Sequence, residues 1–126
     1  MRVASVDTGF VAAAPGRVFE VIADPAGYPT WWPGARAEGP SGLRLQAMGP
    51  VGFHVEGIRP GVELTVRLEG RGLGGRLQWY LEPFEEGTVV YGIVDLETER
   101  RWRHRRKLGV RTAVRRAMVA LKEMLE

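Results

Sequence analysis

Cysteine is absent from the 126 residues, and so is asparagine. Without cysteine there is no disulfide, no thiolate metal site and no cysteine nucleophile. The two histidines, His54 and His104, stand far apart and have no thiols to help them, a poor metal site. No metal and no cofactor is expected. No apolar run approaches the ~18 residues needed to cross a bilayer, and Asp7 interrupts the N-terminal apolar stretch before a signal-peptide core can form. These absences lead to the expectation of a cytoplasmic protein without a transmembrane segment. Lysine is scarce beside arginine. Together with the missing asparagine, this is compatible with a thermophilic source or with a GC-rich genome.

What is present begins with charge. The formal net charge of +3 is the sum of two unlike parts: residues 1–99 hold 8 Arg/Lys against 13 Asp/Glu, and residues 100–126 hold 10 against 2. The basic character therefore belongs to one segment, above all the run Arg100–Lys107. Hydrophobic residues make up 44% of the chain, enough for one core in one domain spanning 1–126.

The stretch from Lys107 to Leu125 has helical periodicity. At 100° per residue, Val110, Val114, Ala117, Met118, Leu121 and Leu125 share one side, with Arg111, Arg115, Arg116, Lys122 and Glu123 opposite. Such a stripe must be buried against another layer. Residues 2–13 are expected to form a first strand. Pro15 suits the first position of a helix with Val18, Phe19 and Ile22 on its apolar face. Asp24-Pro25 is a second helix start, an N-cap followed by proline, for a short helix through Tyr28 that ends near Trp31-Trp32-Pro33-Gly34.

From about Ala35 to Glu97 the period becomes two, with strands expected at 35–38, 42–47, 51–58, 62–69, 75–83 and 88–97. A turn centred on Met48-Gly49-Pro50 sets Leu45 opposite Phe53, and one at Pro60-Gly61 sets Val55 opposite Val66. A turn at Gly72-Leu73 sets Val66 opposite Trp79, and one around Glu85-Glu86-Gly87 sets Leu81 opposite Tyr91. These registers define one dry face: Leu43, Leu45, Phe53, Val55, Val62, Leu64, Val66, Leu68, Leu77, Trp79, Leu81, Tyr91, Ile93 and Asp95. His54, Glu56, Arg67 and their neighbours fall on the wet one. The expected class is α+β: a curved antiparallel sheet of six or seven strands wrapped around a long C-terminal helix, with two short helices after the first strand.

The segment Ala14-Pro15, Val18-Phe19, Ile22-Ala23-Asp24-Pro25, Tyr28-Pro29, Trp31 and Pro33-Gly34 resembles the START-like polyketide cyclase/dehydrase and lipid-transport superfamily. The order of elements and the ending Leu121-Lys122-Glu123 within a long helix are similar to it as well. The resemblance implies a helix-grip fold with a cavity between sheet and helix for an apolar small molecule. Members include carriers of lipids, sterols and hormones, and aromatases and cyclases of polyketides. No shared catalytic signature carries over to positions of this chain.

The dry face contains no His, Lys, Arg or Glu, and only Tyr91 and Asp95 bring polar atoms to it. General acid–base chemistry needs a titratable group within reach of its proton, so such a face favours binding over catalysis. One reading is a pocket walled by Trp31, Trp32, Phe53, Leu64, Val66, Trp79, Tyr91, Val114, Met118 and Leu121, since aromatic walls with a few polar handles are what small-molecule sites use. The other is solid packing against the helix. Neighbours on a helix point about 100° apart, so only one of Trp31 and Trp32 is expected to line the pocket, the other lying as a lid over the core edge. No catalytic residue is assigned; in an enzyme, Tyr91 and Asp95 would be the acid–base groups. Gly70-x-Gly72-x-x-Gly75 spells the dinucleotide fingerprint, but Leu77-Gln78-Trp79-Tyr80-Leu81 continues as a strand where that motif needs a helix. A glycine-rich hairpin accounts for it. The run Arg100–Lys107 has the charge for an interaction module that contacts nucleic acid or an anionic membrane; the plainer reading is a solvated strand-to-helix connection with its arginines snorkelling. The expected partner is a hydrophobic small molecule, with no stable nucleic-acid complex and with the oligomeric state left open.

Overall fold

The computed structural model describes residues 1–40, 42–99 and 104–126, the stretch 104–107 by its backbone alone. The run Arg100–Lys107 thus lies outside the described residues, save for the helical backbone of its second half. Seven strands form one antiparallel sheet: β1 (Arg2–Val11), β2 (Arg36–Glu38), β3 (Gly42–Leu45), β4 (Gly49–Arg59), β5 (Glu63–Gly70), β6 (Leu73–Phe84) and β7 (Gly87–Thr98). Their order is β1-β7-β6-β5-β4-β3-β2, so the first strand pairs with the last and the rest form a meander. The sheet curls around helix α2 (His104–Leu125), as expected for the class. Helix α1 (Pro15–Ile22) and a 3₁₀ helix (Pro25–Thr30) close one end of the concave side.

Local chemistry explains the short elements. Pro15 starts α1 where its missing N–H has no partner to lose. Asp24 caps the 3₁₀ helix, its Oδ1 accepting from the Ala26 N–H at 3.1 Å. The last carbonyl of α1, Ile22 O, has no helical donor; the Tyr28 hydroxyl donates to it at 2.7 Å. That bond ties the two short helices together and pins the Tyr28 ring in the core.

Helix α2 buries the stripe its periodicity implies, Val110, Val114, Ala117, Met118, Leu121 and Leu125. It sits on β1 and β7 where two glycines make room. A Cβ at Gly9 would stand 3.0 Å from Met118 Cγ, and one at Gly92 would stand 3.3 Å from Met118 Cε and 3.2 Å from the Trp79 ring. A side chain at either position would press on Met118, and at Gly92 on the Trp79 ring as well.

Three of the four expected hairpins keep the expected faces, apart from Val55 and Val62 in the second. Val55 pairs with Val66 as expected. The β3–β4 and β5–β6 turns are displaced, so Leu45 faces Gly49 and Val66 faces Leu77. Each displacement keeps the alternation in step, and the faces survive. The β6–β7 turn does not. It is the two-residue turn Glu85-Glu86, with Glu85 at φ 53°, and it sets Leu81 opposite Val90. A slip of one residue exchanges the faces of a strand. Val90, Val94 and Leu96 are therefore buried, and Tyr91, Ile93 and Asp95 point outward. Two further dry-side assignments also fail. Val55 is half exposed at a β-bulge between Val55 and Gly57, and Val62 belongs to the turn before β5, its N–H bonded to Arg59 O.

Candidate functional site

The concave side holds a cluster of five aromatic rings: Tyr28, Trp31, Trp32, Phe53 and Trp79. Three of them come from the 3₁₀ helix and its exit. The backbone N–H groups of Trp31 and Trp32 both donate to the Tyr28 carbonyl, at 3.1 and 2.8 Å. Trp31 has φ −134° and ψ −34°, so the chain leaves helical geometry there. The 100° angle between helical neighbours no longer applies, and both indoles turn inward, 5% and 1% exposed. Phe53 enters from β4 and Trp79 from the middle of β6, opposite Leu64 of β5 and Gly92 of β7.

The rings are packed against one another. Tyr28 stacks on Trp32 at 5.8 Å and meets Phe53 edge-on at 5.4 Å. Trp79 meets Trp31 and Trp32 edge-on at 6.2 and 6.4 Å. These are the separations that aromatic pairs prefer. Leu64 and Val66 of the sheet, and Val114, Met118 and Leu121 of α2, complete a buried surround. Of the ten residues expected to wall a pocket, nine are thus inside and in one core. The exception is Tyr91, whose hydroxyl donates to Glu82 Oε2 at 3.1 Å on the outer face. Asp95, the other expected polar handle, is also outside. Its carboxylate accepts from Arg2 Nε and Nη2 at 2.8 and 3.0 Å, and that hydrogen bond holds its pKa below the usual value. Neither brings a polar atom to the interior.

Sequence reasoning did not assign Tyr28 to the site, yet a signal is present. Tyr28, Trp31 and Trp32 stand at i, i+3 and i+4, the spacing of residues that share a helix side.

One feature of this cluster is out of the ordinary. The indole Nε1 atoms of Trp31, Trp32 and Trp79 are all buried and make no hydrogen bond. A buried donor without a partner costs about 1–3 kcal/mol, so such groups are rare in native interiors. Trp79 Nε1 lies beside the Tyr28 hydroxyl, but the geometry is not that of a hydrogen bond. Apart from these indoles and Tyr28, the buried polar side chains among the described residues are Thr88 and Thr98. Thr88 donates to Ala13 O at 2.7 Å, and Thr98 to Met1 O at 3.0 Å. No three His, Asp or Glu side chains converge among the described residues.

Burial drives the Tyr28 phenol far above its ordinary pKa, against a smaller opposing influence from Trp79. A phenol whose pKa is raised on folding leaves stability intact below the unfolded pKa of about 10 and erodes it as pH climbs higher, by at most ~1.4 kcal/mol per pH unit. Tyr80 and Tyr91 are also raised, by hydrogen bonds to Glu63 and Glu82, but are solvent-accessible. A spectrophotometric titration should therefore show two phenolates forming in the native state and the third only with unfolding. Three phenolates forming together before unfolding would contradict this burial.

No family model and no curated protein sequence matches the chain. Solved structures do. A START superfamily protein from Mycobacterium smegmatis superposes with a TM-score of 0.77 at 17% identity, covering 97% of this chain and 96% of that one. An aromatase/cyclase from a Streptomyces species gives 0.76 at 17% identity, over 99% and 94%. The Aha1 dimer of Colwellia psychrerythraea, a solution structure, gives 0.74 at 18% identity, over 98% and 96%. The chain has the START-like helix-grip fold. At these identities the likeness concerns the fold. No described helix of this START-like chain is long and apolar enough to cross a membrane.

Proposed function

We propose that this protein binds a hydrophobic small molecule, a lipid, sterol or polyketide-like compound, between the concave sheet and α2. The observation that carries the reading is the trio of unpartnered indole N–H groups in one aromatic cluster. A ligand carbonyl or hydroxyl oxygen reaching one of them would accept what the chain itself does not, and the packed rings would part to lay its apolar body against surfaces free of charge. The START-like fold supports the reading. Binding without chemistry is favoured because the described interior has no group fit to move a proton: Tyr28 is engaged and held neutral, and Tyr91 and Asp95 face outward.

The test uses a neutral steroid ketone and a neutral apolar fluorophore, titrated while tryptophan emission is followed. Saturable binding with an emission change is expected. Trp79→Phe, which keeps the ring and removes one N–H, should weaken the ketone roughly tenfold, the equivalent of one hydrogen bond, and leave the fluorophore nearly unaffected. Absence of saturable binding by both compounds, with tryptophan emission unmoved, would end the proposal.

A further inference from the structure

At the rim of the fold, away from the aromatic cluster, β2, the β3–β4 turn and the β5–β6 turn surround an open cleft of about 870 Å³. That volume is within the range of small-molecule sites. One side is apolar, from the partly exposed Ala47 and the exposed Pro50, with Leu45 and Met48 buried beneath. Three arginines from three different elements also line it: Arg36 of β2, Arg44 of β3 and Arg71 of the β5–β6 turn. Against them stands one described acid, Glu99, itself already engaged in an interaction.

The strand register adds a second, independent observation. Arg36 and Arg44 are direct cross-strand partners. Like charges placed opposite one another destabilise an antiparallel pair, and β2 is only three residues long. Arg44 has partial relief from Glu38, whose Oε2 is 3.4 Å from its Nε, while Arg36 and Arg71 have no ion-pair partner among the described residues. An anion seated between the guanidinium groups would turn the repulsion into a bridge. Guanidinium groups suit planar carboxylates and phosphates by paired N–H donation.

We infer that this cleft binds an anionic amphiphile, a carboxylate or phosphate monoester on a short apolar body. Arg36, Arg44 and Arg71 take the anionic oxygens, and Ala47 and Pro50 take the apolar part. The inference goes beyond the interior site and does not rest on it.

Calorimetric titration of the intact protein with octanoate, octyl phosphate and 1-octanol tests it. At least one anion should bind saturably and at least tenfold more tightly than the alcohol, and the preference between the two anions identifies carboxylate or phosphate as the natural head group. The double variant Arg36→Gln/Arg71→Gln should weaken that anion about tenfold or more, as should raised salt. Arg17→Gln, an exposed arginine of α1 outside the cleft, should leave it unchanged. Failure of both anions to bind overturns the inference, and so does equal affinity for the alcohol or indifference to the double variant. If the alcohol binds with a tryptophan emission change that the arginine variants do not alter, the cleft inference fails while the interior site stands.

Discussion

Replacing Trp79 by alanine should lower the free energy of unfolding by about 3–5 kcal/mol, the range for truncating a large buried aromatic. The residue has no solvent exposure, occupies the centre of β6, and touches Trp31, Trp32, the open face of Gly92 and, across it, Met118 of α2. Its removal leaves a void that strands β5 to β7, held by their ladders, cannot collapse to fill. Trp79→Phe should cost about 1 kcal/mol or less, because the smaller ring loses contacts yet also deletes a buried donor with no partner. Urea denaturation of the three proteins measures both values. The expected pattern is a large fall in midpoint for alanine, a small one for phenylalanine, and similar slopes throughout. A loss below about 1 kcal/mol for Trp79→Ala would mean that the cluster does not carry the core.

An equally large contrast is expected within β7. Val94→Asp should destabilise by about 3–5 kcal/mol, since it places a carboxylate without a partner on the buried side, opposite Leu77. Ile93→Asp, one residue earlier, should cost about 1 kcal/mol or less, because that position lies beside the exposed Val6 on the outer face. Thermal and urea unfolding of the pair decide the register directly. Equal losses, or the reverse order, would restore the register in which Tyr91 and Asp95 face the helix.

That register is also where sequence and structure part. The alternation of β3 to β6 outside the bulge at Val55 and the turn at Val62, the stripe on α2 and the cap at Asp24-Pro25 are each decided by residues within a few positions of one another, and are legible. The turn after β6 is not. It runs through Glu85 in a left-handed conformation, which a glutamate seldom adopts, so nothing marks it as a two-residue turn. The neighbouring Gly87 draws attention as the natural turn residue. Its role is different: a Cβ there would collide with Val11 O and the Phe10 ring, so the glycine allows β1 to lie close. A requirement set by a strand distant in sequence cannot be read from the local pattern. The aromatic cluster is legible by composition but not by geometry. Both tryptophans turn inward only because the chain abandons the helix at Trp31. Tyr28 is central because its hydroxyl answers a carbonyl six residues earlier.

The pairing of β1 with β7 has a further consequence during synthesis. Arg2 lies opposite Glu97, and β1 also forms part of the seat of α2. At ribosomal rates of about 5–20 residues per second, the first strand waits roughly 5–20 seconds for its partner to be made. For that interval its backbone and the apolar side chains Val3 and Val11 have nowhere native to go. The nascent chain should therefore be a client for holdase chaperones until β7 and α2 have left the ribosome, and folding should proceed as a late, concerted closure instead of growing outward from β1.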